Sequence, residues 1–377
     1  IGGDDLQCGR RHLVRARCLG RLAGADQLPA MMLLRIVLFS GPVVMIGLTP
    51  NIHHEVILWV WGLAVWFLAL LVPVFDRGLS PSGFRLSALA ALAGCALMTR
   101  PSTGLGLILA LGLLLLHRAW HEGSGNPLSR LLRFACQGRI IVPVLILGGF
   151  LAIAAGVNQA RWGDPFTFAD LRLQSELLAQ HPDRLARLET YGLFNIRRLG
   201  LGLIYYFFPI WALTRDGVFV FHDDIDRLFD AFELPPSSIL LTDPLTVLLA
   251  AMGLAALVRR TVPGIARGQV LAVMAGLAVP PALMLIAWYM AFRYRVEFMP
   301  ILLLAAGIGA MRLGQRMTEM SERARRRTVV ALMTVLFVQV AAAHAFAILY
   351  RASPGGPSLH HAAGGIAAYY LGVAASR

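Results

Sequence analysis

Three stretches hold most of the ionisable side chains that could do chemistry here: NIHHEVILWVWGL at 51–63, TRPSTG at 99–104 and FRYRVEFMP at 292–300. In TRPSTG, Arg100 precedes a proline suited to a first helical turn, where the early N–H groups have no partner inside the helix. An arginine beside such groups can grip a phosphate bidentately. The bland alternative, a guanidinium snorkelling to lipid headgroups, stays open. FRYRVEFMP alternates charge with aromatic rings. Arg293 and Arg295 could clamp a pyrophosphate or sugar phosphate while Tyr294 or Phe292 stacks on a sugar; equally, an internal arginine–glutamate pair could sit in an aromatic belt.

In NIHHEV, the groups His53, His54 and Glu55 could bind a metal, exchange protons or hydrogen-bond a neighbouring helix. Adjacent side chains on a helix point about 100° apart, so the two histidines do not readily share one ion. No HExxH, Walker or GxGxxG spacing accompanies them, so Glu55 and His54 are read as structural or substrate-positioning groups. No metal or cofactor is indicated, although the residue types would admit a divalent cation. Asp164, in GDPF, is a further candidate acid. The acidic run FHDDIDRLFD, with His222, Asp223, Asp224 and Asp226, reads as a solvated loop rather than a cation site.

The elements that must position these groups are membrane helices. Of 377 residues, 57% are hydrophobic and 15% charged, and the mean hydropathy is +0.67, far from the soluble average of about 25% charged. Apolar runs long enough to span roughly 30 Å of hydrocarbon recur along the chain, without period-two alternation, which predicts an all-α integral membrane protein. Nine spans are expected, at 30–49, 56–75, 84–99, 103–117, 138–157, 240–258, 269–290, 298–312 and 328–349, the third and fourth forming a hairpin at RPSTG. They divide the chain into a basic N-terminal segment (1–29), a five-span bundle (30–157), a long outer segment (158–239), a four-span bundle (240–349) and an outer tail (350–377).

Every basic residue in the Lys+Arg total of 34 is arginine. No lysine is therefore available for catalysis. The net charge of +13 does not point to nucleic acid, because the arginines gather in short connections. Fifteen lie in 76–85, 118–139, 259–268 and 312–327, against three, Arg100, Arg293 and Arg295, in 50–55, 99–103 and 291–297. Positive-inside bias places the first set in the cytoplasm, and with it the bare outer loops that hold His54, Arg100 and Arg293 on the opposite side. A further apolar run at 199–213 would invert everything after it if it crossed, so it is expected to lie as an interfacial or re-entrant helix with Tyr205, Tyr206 and Trp211 at headgroup level. Leucines at helical spacing in 163–192 suggest amphipathic helices on the surface. Cys8, Cys18, Cys95 and Cys136 show no paired spacing and imply no disulfide or zinc framework.

Taken in order, PNIHHEVILWVWGL, LAALAGCALMTRPSTGLGL, ARWGDPFTF, YYFFP and FRYRVEFMPILLLAAG resemble the bacterial multi-spanning glycosyltransferases of the GT-C superfamily. That superfamily includes protein mannosyltransferases and the aminoarabinose transferases of lipid A; the resemblance covers residues 37–312. It implies a polyprenyl-phosphate-linked sugar donor used at the outer face of the bacterial inner membrane. Arg100 matches the basic residue of the family's L-T-R/K-P turn, which contacts the lipid phosphate, and Arg293 and Arg295 match its late RYR-x-x-x-x-P element. The family's catalytic acid lies in a first outer loop. Asp4 and Asp5 fall on the wrong side of the charge-based topology, so the resemblance implies a chain that lacks its first span and that loop, with Glu55 and Asp164 as poor substitutes. A lipid or solute transporter, or a membrane subunit without chemistry, are the competing expectations.

Overall fold

A computed structural model of the protein describes residues 35–36, 41–48, 52–75, 81–121, 126–167, 183–208, 214–215, 218–229, 231–232, 237–262 and 265–352. The expectations for 1–29, for 168–182, for Trp211 and for the side chains of His53, His222 and Asp226 lie outside what is described. The described chain is a helical bundle. In order come α1 (Gly41–Leu48), α2 (Ile52–Leu71, continued by a 3-10 turn), α3 (Gly83–Thr99), α4 (Pro101–His121), α5 (Pro127–Ala135), α6 (Gly138–Trp162), α7 (Asp183–Tyr191), α8 (Leu199–Phe207) and α9 (His222–Leu228). There follow α10 (Ile239–Thr242), α11 (Pro244–Val258), α12 (Arg267–Leu277), α13 (Val279–Ile286), α14 (Met299–Glu319) and α15 (Glu322–Ala352).

Local chemistry sets the helix ends. Ser82 and Asn126 cap α3 and α5 through side-chain bonds to Arg85 N (3.2 Å) and Ser129 N (2.8 Å). Pro101, Pro127 and Pro244 stand in first turns, where a missing N–H costs nothing. Gly163, at φ 73°, closes α6 in the left-handed conformation that glycine adopts freely.

Six segments among the described residues are long and apolar enough to cross a membrane: His54–Phe75, Pro101–His121, Gly138–Trp162, Arg267–Ile286, Phe292–Glu319 and Glu322–Ile348. Gly83–Thr99 and Pro244–Val258 are shorter apolar helices. The protein is thus an all-helical, multi-pass membrane protein, and these eight helices fall on eight of the nine expected spans. Of the expected span at 30–49, the described residues are 35–36 and 41–48, and all of them are helical. The arginine-rich stretch expected as a loop at 312–327 is instead helical apart from Met320 and Ser321. There Glu322 pairs with Arg325 and Arg326 at 2.7 and 2.9 Å along the exposed first turns of α15.

Contacts between helices sort the bundle into two ends. At one, Phe75 O accepts from Ala266 N (2.9 Å), and a Cβ at Gly268 would meet the His117 ring. At the other, Arg100 reaches Glu297, the Phe292 ring meets His54, and Asp243 bonds Gly41. The sequence-based grouping of Arg100 and 291–297 at one end, away from 118–139 and 259–268, matches this arrangement.

The segment 183–232 docks against that second end. Arg198, 1% exposed, donates to four backbone carbonyls: Leu228 (2.8 Å), Leu193 (3.1 Å), Ile286 (3.3 Å) and Gly192 (3.0 Å). A buried guanidinium is tolerated because these carbonyls replace the water it lost. One pair of two-residue strands completes the dock, β3 (Ala231–Phe232) running parallel to β4 (Tyr289–Met290); β1 (Thr214–Arg215) and β2 (Val218–Phe219) pair antiparallel with each other. The α8 helix spans nine residues, too few to cross, as expected. Its tyrosines correct the expectation of headgroup contact: Tyr205 and Tyr206 are buried inside the protein with Phe229, Met290 and Phe298.

The closest helix crossing joins α11 and α14. A Cβ on Gly253 would overlap the Ala305 carbonyl, and one on Gly309 the Leu249 carbonyl, so the backbones touch where larger residues would part them. Gly253→Ala is expected to destabilise the protein by about 1–3 kcal/mol. Gly149→Ala, at a site open to its surroundings, is expected to leave the melting temperature unchanged or slightly raised. Thermal unfolding in detergent checks both; equal effects would contradict the close crossing.

Candidate functional site

Arg100 is the single residue between α3 and α4, extended at φ −149° and ψ 105°. Pro101 starts α4 immediately, so Ser102 and Thr103 occupy its first turn. Their hydroxyls point at one acceptor, the Glu297 carboxylate. Ser102 Oγ donates to Oε1 at 2.6 Å, Thr103 Oγ1 donates to Oε2 at 2.6 Å, and Arg100 Nε donates to Oε1. Glu297 is 1% exposed and Arg100 18%. The start of a helix carries partial positive charge and unpaired N–H groups, which favour an anion. The anion placed there is Glu297, brought from almost two hundred residues away. This corrects the expectation that the first turn of α4 stands ready for a phosphate.

Around the carboxylate, cations and rings alternate. The Arg100 guanidinium lies 4.7 Å from the Tyr294 ring centre, and that of Arg293 lies 5.2 Å from the same ring and 5.5 Å from Tyr289. Two guanidiniums thus share one tyrosine ring, an attraction each worth about 0.5–1 kcal/mol where partly exposed. Arg293, Tyr294 and Tyr289 are all half-buried. His54, 3% exposed, meets Phe292 edge-on at 5.5 Å, so α2 supports the same 3-10 segment, Phe292–Phe298.

Beneath this layer lies a second one. Arg295 is fully buried, and its charge acts on Asp243 and Tyr206. Asp243 accepts from Gly41 N (3.0 Å) and Thr242 Oγ1 (2.8 Å). The Tyr206 ring packs 4.9 Å from Tyr205 and 4.9 Å from Phe298, and its hydroxyl makes no hydrogen bond among the described residues. Burial pushes its phenol well above the ordinary range, so it stays protonated at neutral pH.

The structure therefore brings Arg100, Tyr294, Arg293, Arg295 and His54 to one 3-10 segment and the turn facing it. The candidate acids do not join them. Glu55 is exposed and accepts from Trp59 Nε1 at 3.4 Å; Asp164 is taken up by its own turn, accepting from Thr167 Oγ1 at 2.6 Å and Phe166 N at 3.4 Å. The run expected as a solvated loop is instead the helix α9, which buries Ile225 and Leu228 and keeps the Asp224–Arg227 pair (2.9 Å) on its exposed side. Among the described residues no group of three His, Cys, Asp or Glu could hold a metal. Sequence reasoning placed Glu297 at this end as a partner for the arginines of its own segment, whereas the structure pairs it with Arg100; it missed Ser102, Thr103, Asp243 and Tyr206 as parts of the site. Ser102 and Thr103 carried a signal, two hydroxyls directly after Pro101; Glu297 and Tyr206 carried none that was local.

Removing one partner from a buried pair leaves an uncompensated charge, at a cost of about 3–5 kcal/mol, whereas removing both is far milder. Arg100→Gln should destabilise the protein strongly, and Arg100→Gln combined with Glu297→Gln should recover most of the loss. Denaturation of the two singles and the double measures the coupling; simple additivity would show that the pair does not hold the hairpin to the 3-10 segment.

No family model matches the chain, and no curated protein or solved structure matches it.

Proposed function

We propose that the protein is a membrane glycosyltransferase of GT-C-like type, with nine crossings, taking a sugar from a polyprenyl-phosphate-linked donor at the extracytoplasmic face of a bacterial inner membrane. One observation carries the reading: among the described residues, Arg100 hydrogen-bonds through its Nε and not through its terminal nitrogens. Its Nε is tied to Glu297, its terminal nitrogens make no hydrogen bond among the described residues, and its face rests on Tyr294. That is a guanidinium fixed in orientation with donors to spare, which suits a phosphate oxygen.

In this reading Glu297 is an orienting group, its two oxygens already accepting three donors. Arg293 lies against the same Tyr294 ring and adds positive charge. The five ionised groups of the cluster, Arg100, Arg293, Arg295, Glu297 and Asp243, sum to a formal charge of plus one. As an acceptor hydroxyl attacks the anomeric carbon, the bond to the lipid phosphate breaks, the hydroxyl proton passes to water or to the departing phosphate, and negative charge grows on that phosphate. Arg100 and Arg293 would offset it, the kind of help worth about 3–4 kcal/mol per donor in enzymes. Tyr289 and Tyr294 offer half-buried faces to the sugar. Transport is less well supported, because the cluster lies at one end of the bundle rather than at its middle.

The reading is tested by equilibrium binding of polyprenyl phosphate to the purified protein and by transfer from the sugar-linked donor. Arg100→Lys keeps the charge but cannot both satisfy Glu297 and present a planar fork, and is expected to lower turnover by about 10²-fold. Arg293→Gln should weaken phosphate-lipid binding by about tenfold. Wild-type binding and turnover in both variants would remove the proposal.

A further inference from the structure

The opposite end of the bundle holds a cavity of about 300 Å³, lined by Ala256, Leu257, Arg260, Val262, Ile265 and Arg267. Its floor is apolar and its two polar groups are arginines. We infer that this cavity binds the phosphate headgroup of an anionic phospholipid, gripped between Arg260 and Arg267.

The backbone at Arg260 is the first support. The α11 helix ends in a Schellman motif, with Arg260 N donating to Leu257 O (3.3 Å) and Thr261 N to Ala256 O (3.0 Å). The residue after the cap in this motif is left-handed and favours glycine. Here it is Arg260 at φ 56°, the one non-glycine residue with positive φ among those described. A strained conformation retained on a long cationic side chain at a cavity mouth points to a use for that side chain.

Arg267 supplies the second. It is the first residue of α12, whose N-cap, Ala266, offers no side-chain bond to the first-turn N–H groups. The Arg267 Nε is buried and makes no hydrogen bond among the described residues. A buried donor without an acceptor, at the positive end of an eleven-residue helix, is unsatisfied until an anion arrives.

The ligand could be a free phosphate or the same group on a lipid. Position favours the lipid. The cavity opens at the arginine-rich end, where a membrane with anionic lipids attracts basic groups. Leu254 and Val258 on α11 and Leu271 on α12 are exposed, leaving apolar surface for acyl chains beside the headgroup. This inference does not depend on the function proposed for the other end.

The test is equilibrium binding of dioctanoyl phosphatidylglycerol, dioctanoyl phosphatidylcholine and inorganic phosphate to the full chain in a neutral detergent, read by native mass spectrometry and thermal shift. Phosphatidylglycerol should bind the wild type and raise its melting temperature. Arg267→Gln and Arg260→Gly should each weaken that binding about tenfold, as loss of a charge-assisted bond does. The Arg260→Gly protein should melt at or above the wild type without lipid, since glycine relieves the left-handed residue. Arg323→Gln, at an exposed arginine outside the cavity, should bind as the wild type does. Equal binding of the two lipids, unchanged affinity in both cavity variants, or a loss as large in Arg323→Gln would overturn the site. Displacement of the lipid by inorganic phosphate at equal concentration would overturn the lipid assignment.

Discussion

A carboxylate at the start of a membrane helix organises this protein. Glu297 accepts from Arg100, Ser102 and Thr103, and so binds the α3–α4 hairpin to the 3-10 segment that opens α14. Inside a low-dielectric bundle such an arrangement has to be complete, because any one donor or acceptor left alone costs more than the set contributes. The consequence is a guanidinium fixed in orientation at one end of the bundle. What the proposed chemistry needs of Arg100 is an orientation and terminal nitrogens without a hydrogen bond among the described residues, and Glu297 supplies the orientation by holding its Nε.

The segment between α6 and α10 serves the same end. Arg198 gathers four carbonyls and ties residues 192–229 to Ile286, and β3 pairs with β4, which contains Tyr289. Tyr289 in turn faces Arg293. The site's aromatic wall is therefore set by the docking of a segment outside the membrane helices, while its charges are set by the helices themselves. Tyr206, buried between the two, feels the charges of both layers.

Much of this was legible in the chain and some was not, for definable reasons. Apolar runs and the bias of arginine among connections are one-dimensional signals, so eight helices and the two ends of the bundle could be read directly. Pro101 announced the start of α4, and the hairpin formed there with Arg100 as its sole linking residue. What fills that helix start could not be read, because Glu297 lies 197 residues from Arg100 and no local pattern couples them. The burial of Tyr205 and Tyr206 was hidden for a related reason: aromatic residues at a helix end look alike whether they meet lipid or a docked segment. Asp164 and Glu55 looked like candidate acids because a linear chain does not show that one caps its own turn and the other faces outward.

The most direct measurement is the position of the phosphate in an experimental density map of the protein with bound polyprenyl phosphate. Phosphate oxygens should lie about 3 Å from the terminal nitrogens of Arg100 while its Nε stays on Glu297. A phosphate remote from Arg100, or one that has taken the place of Glu297 on Ser102 and Thr103, would contradict this picture of a carboxylate that aims an arginine.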